Sequence, residues 1–77
     1  MDKSKIKEII EETLQGSSAE IDGGEGKYTA IIIYKGFEDL NTVKRHQLVY
    51  SSLDSYIKSG ELHAISLKTF ASKDEMA

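Results

Sequence analysis

The sequence has 77 residues, a formal net charge of −3 and no cysteine. It reads as one small domain over residues 1–77, with no disulfides and no thiolate metal site. The acidic balance argues against non-specific DNA binding, which rests on a basic surplus. His46 and His63 alone cannot close a four-ligand zinc site. The N-terminal stretch lacks the apolar run of a signal peptide, and no segment approaches the ~18 apolar residues of a membrane span. A cytoplasmic protein is expected.

The first predicted element is a helix from about Lys3 to Leu14. Ile6, Ile9, Ile10 and Leu14 fall on one face at helical spacing, and Gly16 supplies the stop. A short strand with Ala19 and Ile21 on one face comes next. Gly23-Gly24-Glu25-Gly26 then reads as a hairpin connection, since glycines permit the positive φ of such turns. A strand from about Tyr28 to Lys35 follows, with Tyr28, Ala30, Ile32 and Tyr34 on one face and Ile31 and Ile33 on the other. Apolar residues on both faces mark it as central.

From Thr42 the period is helical again. Asn41 is the expected N-cap, Gly60 the stop, and His46, Val49, Tyr50, Leu53 and Ile57 the expected apolar face. Leu48 falls opposite that face. Either the helix breaks near Ser51-Ser52 or Leu48 belongs to a partner-facing surface. Leu62 to Phe70 alternates as a last strand, with His63, Ile65 and Leu67 together. Ser72-Lys73-Asp74-Glu75 is a capping-box pattern that opens a final helix. A long helical connection between strands joins them in parallel. The expected fold is α+β, a single two-layer domain in αββα(α)β order. Its three-stranded mixed sheet carries helices on one face.

Few residues point to chemistry. The glycine turn could be mistaken for the G-x-x-G backbone clamp of a nucleic-acid-binding domain. That clamp sits between helices, whereas these glycines join strands beside Glu25. Tyr28, Tyr34, Tyr50 and Tyr56 fit core and sheet positions and lack the basic interleaving of a stacking platform. No nucleophile–base pair stands out, so no enzyme is expected. A histidine on a strand face with Ile65 and Leu67 reads first as a partly buried structural residue. Lys44-Arg45-His46 is the one basic run of note.

Two segments carry a family resemblance. Val43-Lys44-Arg45-His46-Gln47-Leu48-Val49-Tyr50-Ser51-Ser52-Leu53 resembles the helical signature of the BolA-like proteins. Leu62-His63-Ala64-Ile65-Ser66-Leu67-Lys68-Thr69-Phe70 is similar to their last strand. The glycine turn and Phe37-Glu38 sit where that family places them. The resemblance implies a type II KH-like fold. It also implies a monothiol glutaredoxin as partner, with or without a bridging 2Fe–2S cluster. His63 matches the family's cluster-ligating histidine, and the remaining ligands would come from the glutaredoxin thiolate and its glutathione. An imidazole in place of thiolate raises a cluster's potential. A second ligand, His or Cys in many members, falls at Lys27 here, and a protonated lysine is no ligand. Lys44, Arg45 and His46 become candidate contacts to glutaredoxin, glutathione or nucleic acid. The chain alone is expected to be monomeric. Some members are linked to transcription and stress responses through a helix-turn-helix-like surface, so a nucleic-acid-binding regulator is the alternative function.

Overall fold

The protein, seen here as a computed structural model, is described over residues 1–25 and 27–76. Helix α1 spans Lys3–Thr13. The Asp2 carboxylate accepts from the Lys5 N–H at 2.8 Å and so satisfies one of its free N-terminal donors. Strands β1 (Ser18–Gly24) and β2 (Lys27–Ile33) pair antiparallel, and β3 (Ala64–Phe70) runs parallel to β2, giving the sheet order β1-β2-β3. Helix α2 (Thr42–Ser59) makes the crossover between β2 and β3, and a short helix α3 spans Lys73–Met76. This is the expected α+β architecture with a three-stranded mixed sheet.

The register explains which side chains reach the core. Side chains alternate across a strand, so the rows Ala19–Ile32–Thr69, Ile21–Ala30–Leu67 and Gly23–Tyr28–Ile65 share the helix-facing side. Ala19, Ala30 and Ile32 there are fully buried. They pack with Ile6, Ile10 and Leu14 of the first helical segment, Val49 and Leu53 of α2, Phe37 and Leu62. The opposite side carries rows such as Glu20–Ile31–Lys68.

Four expectations need correction. The strand expected to reach Lys35 ends at Ile33, because a 3-10 turn over Lys35–Phe37 drives Phe37 into the core. Tyr34 meets its ring edge-to-face at 5.2 Å. Gly23 and Gly24 are not part of the turn but pair with Tyr28 and Lys27. Gly23 still needs its glycine: φ is +103° and a Cβ would lie 2.3 Å from the Lys27 carbonyl oxygen. Glu25 carries a positive φ of 54° in the connection, and Gly26 lies outside the described residues.

The face of α2 is also rotated from the expected one. Val49 and Leu53 are buried, but Tyr50 and Ile57 are exposed, and Leu48 and Tyr56 pack against the core instead. Helix periodicity misread this because Arg45 and Ser52, polar in the sequence, lie on the packed side. The Arg45 side chain is only 12% exposed, and Ser52 Oγ donates to the Val49 carbonyl at 2.6 Å. Nor does α2 break at Ser51-Ser52. Both hydroxyls bond carbonyls one turn back, Ser51 Oγ to Leu48 at 2.8 Å, and the helix continues to Gly60. Gly60 closes it in the left-handed region at φ 83°.

Candidate functional site

The candidate residues fall at the two ends of the sheet. At one end, Gly60 turns the chain out of α2 and the Leu62 N–H donates to the Tyr56 carbonyl at 3.1 Å. The Leu62 side chain is fully buried. This anchor places His63 on the last residue before β3, and His63 is exposed. The partly buried structural role read from its strand face does not hold, because β3 starts only at Ala64 and its first buried residue is Ile65. Lys27 opens β2 and pairs in register with Ala64. The residue matching the family histidine and the position of the absent second ligand are therefore brought to one sheet end. The Tyr28 hydroxyl donates to the Met1 carbonyl and ties the N-terminus to the same end.

Lys44, Arg45 and His46 lie in the first turns of α2. At 1.5 Å per residue the helix carries them ~20 Å from Gly60 and His63. The fold thus keeps the basic run and the histidine end apart. Lys44 is exposed and His46 half-buried. The Arg45 guanidinium is turned inward: Nε donates to the carbonyls of Phe37 at 3.0 Å and Leu40 at 2.8 Å, and Nη1 to the Thr69 carbonyl at 3.4 Å. Its carbon Cζ stands 5.8 Å from the centre of the Phe37 ring. Nη1 also pairs with the Glu75 carboxylate. One side chain thereby fastens the 3-10 turn, the end of β3 and α3 together.

Glu75 is a residue that the sequence marked only as a helix cap. Its backbone N–H does reach Ser72 Oγ, at 3.4 Å, but its carboxylate accepts from the Ala71 N–H at 3.2 Å. The Arg45 guanidinium holds its carboxyl below the usual carboxylate range, the Ala71 N–H adds to this, and desolvation opposes it. A second such carboxylate, Glu11, takes hydrogen bonds from Lys7 at 2.7 Å and from the Ala19 N–H at 2.9 Å, which lower its pKa. Lys7 in turn donates to the Ala19 carbonyl at 2.6 Å, so α1 covers the outer edge of β1 at that residue.

Among the described residues, no three His, Cys, Asp or Glu side chains converge as a metal site. No described helix is long and apolar enough to cross a membrane.

The chain matches the family of BolA-like proteins over residues 3–74. It belongs to the BolA-like family. A bolA homologue from Coxiella burnetii superposes with a TM-score of 0.86 at 34% identity, covering 99% of this chain and 96% of that one. The BolA domain of SufE1 from Arabidopsis thaliana gives a TM-score of 0.76 at 31% identity, with 87% of each chain covered. The acid stress protein IbaG of Escherichia coli K12 is 26% identical over 70 residues, which are 91% of this chain and 83% of that protein. The BolA-like fold explains why His63 and Lys27 share one sheet end: the parallel pairing of β2 with β3 puts both strand starts there.

Proposed function

We propose that this chain is a non-enzymatic, single-domain, cytoplasmic interaction module that pairs with a monothiol glutaredoxin, with or without a bridging 2Fe–2S cluster. The observation that carries the reading is the exposed His63 at the strand-start end of a BolA-like sheet, beside Lys27. An exposed imidazole can give one nitrogen donor to iron. Lys27 gives none as an ammonium, so this chain fits a bridged cluster with one donor, and thiolates from the glutaredoxin and glutathione would complete the set. A single imidazole donor at an exposed strand start suits a cluster that is passed on rather than kept. Lys44 and His46 stand at the far end of α2 as candidate contacts for an acidic surface of the partner. Arg45 would support that surface by holding the loop under it.

Isothermal titration of this protein with a monothiol glutaredoxin, without cluster and after cluster loading, tests the pairing. Saturable heat in either state supports it. Absence of binding in both states refutes it and turns attention to the nucleic-acid reading, which a steep salt dependence of duplex binding with sequence preference would support.

A further inference from the structure

The N–H and C=O of one residue leave a strand on the same side. The Ala19 N–H and C=O both meet α1, so Ala19, Ile21 and Gly23 turn these groups away from β2, at the free edge of the sheet. On β3 the corresponding outward residues are Ile65, Leu67 and Thr69. Side chains close each edge at its two outer positions. On β3 the Tyr50 hydroxyl donates to the Ile65 carbonyl at 3.0 Å and Arg45 Nη1 to the Thr69 carbonyl at 3.4 Å. On β1 the closure rests on carboxylates. Glu11 accepts from the Ala19 N–H at 2.9 Å, and Lys7, bonded to Glu11 at 2.7 Å, donates to the Ala19 carbonyl at 2.6 Å. The ammonium and carboxylate together satisfy both groups of Ala19, as a neighbouring strand would. Asp22 Oδ1 accepts from the Gly23 N–H at 2.8 Å, and Ile21 between them takes no side-chain hydrogen bond among the described residues.

We infer that the Lys7–Glu11 pair is an acid-sensitive latch on the edge of β1: closed, it occupies both main-chain groups of Ala19, and protonation of Glu11 releases them while the rest of the sheet stays paired. A neutral carboxyl is a weaker acceptor and no counter-ion for Lys7, so both bonds loosen together. The opened edge then offers Ala19 beside Ile21 to a further strand. Lys7 is the cation that faces Glu11 on α1, with Glu8 and Glu12 nearest along that helix. Glu20 and Asp22 are the charged groups of β1, and Lys3 and Lys68 line the same depression as Lys7 and Ala19. Of all these, Lys7 and Glu11 alone bond Ala19. Lys7 and the Ala19 N–H hold the Glu11 carboxyl below its ordinary value of 4.5, with desolvation opposing them. The latch is therefore closed above that value and opens as the pH falls through the lower one. The edge of β3 has no such release, since neither a phenol nor a guanidinium changes charge in the acid range.

Nuclear magnetic resonance of the intact chain, reading amide shifts and hydrogen exchange from ~pH 6 to ~pH 3, tests this. The Ala19 amide proton should shift with the same midpoint as the Glu11 side-chain carboxyl. Its protection, corrected for the intrinsic exchange rate, should fall at least ~10-fold through that midpoint, the loss expected when a charged acceptor is removed. Ala30 and Ile32 of β2 should keep theirs. Glu11→Gln keeps an acceptor oxygen but never carries the charge. It should lower Ala19 protection already at ~pH 6 and abolish the Ala19 titration. Far-UV circular dichroism confirms that the variant is folded. An Ala19 amide that does not move with Glu11 overturns the inference. So does protection at Ala19 that is lost only together with that at Ala30 and Ile32, or an Ala19 titration of unchanged size in Glu11→Gln.

Discussion

Replacement of Arg45 by Ala should destabilise the protein by ~3 kcal/mol. The figure comes from what the guanidinium holds. The Leu40 carbonyl receives its Nε hydrogen bond at 2.8 Å, and losing a bond from a charged donor costs ~1.5–3 kcal/mol. The Phe37 carbonyl is less vulnerable, because the Leu40 N–H also donates to it at 2.9 Å. The cation over the Phe37 ring adds ~0.5–1 kcal/mol. The ion pair to Glu75 is screened by solvent and adds little to this sum. A chain of this size has a total stability of only ~4–12 kcal/mol, so the variant should melt ~12–24 °C lower. Urea unfolding followed by far-UV circular dichroism measures the loss. Arg45→Lys should recover only part of it, since a point charge cannot span two carbonyls and a ring. A loss below ~0.5 kcal/mol would refute the view that Arg45 fastens the turn, the strand end and α3.

Gly23→Ala should cost ~2 kcal/mol or more, from the positive φ and the 2.3 Å approach to the Lys27 carbonyl. Gly16→Ala, at φ +90° but with open space around the added carbon, should cost less, ~1 kcal/mol; the two urea midpoints compared side by side decide this. Glu11 and Glu75 titrate below the ordinary value of 4.5 in the folded state. The stability they contribute is present above that value and lost as the pH falls through the lower folded one. Urea midpoints measured from pH 6 down to ~3 should fall below about pH 4.5, and Glu11→Gln should flatten part of that slope. Leu62→Ala should cost ~2–5 kcal/mol in the same assay, since its fully buried side chain anchors the turn that presents His63.

The element order and the sheet were legible because the clearest signals are local. Asn41 and Gly60 bracket α2, and the alternation of Tyr28, Ala30 and Ile32 marks the central strand. The N-cap of α2 was equally direct, because Asn41 offers a short polar side chain that accepts from the Lys44 N–H at 2.9 Å. What escaped is what depends on contacts distant in sequence. Arg45 is polar by composition, yet α2 buries it because carbonyls of Phe37, Leu40 and Thr69 await its donors. Once Arg45 is on the packed side, Leu48 and Tyr56 follow it, and Tyr50 and Ile57 turn outward. At the candidate site the sequence named His63 and Lys27, but its strand alternation gave His63 the wrong surroundings. Its exposure depends on where pairing with β2 begins, which periodicity cannot locate.

Anaerobic cluster reconstitution of the protein with a monothiol glutaredoxin and glutathione, followed by visible circular dichroism, tests the central claim most directly. His63 is exposed, so His63→Ala should change folding stability by less than ~0.5 kcal/mol and isolate the effect on the cluster. The account expects a heterocomplex spectrum, distinct from that of the glutaredoxin alone, that the substitution abolishes. A glutaredoxin spectrum left unchanged by the intact protein would contradict the cluster role, and a heterocomplex spectrum that survives His63→Ala would contradict the assignment of His63 as its ligand.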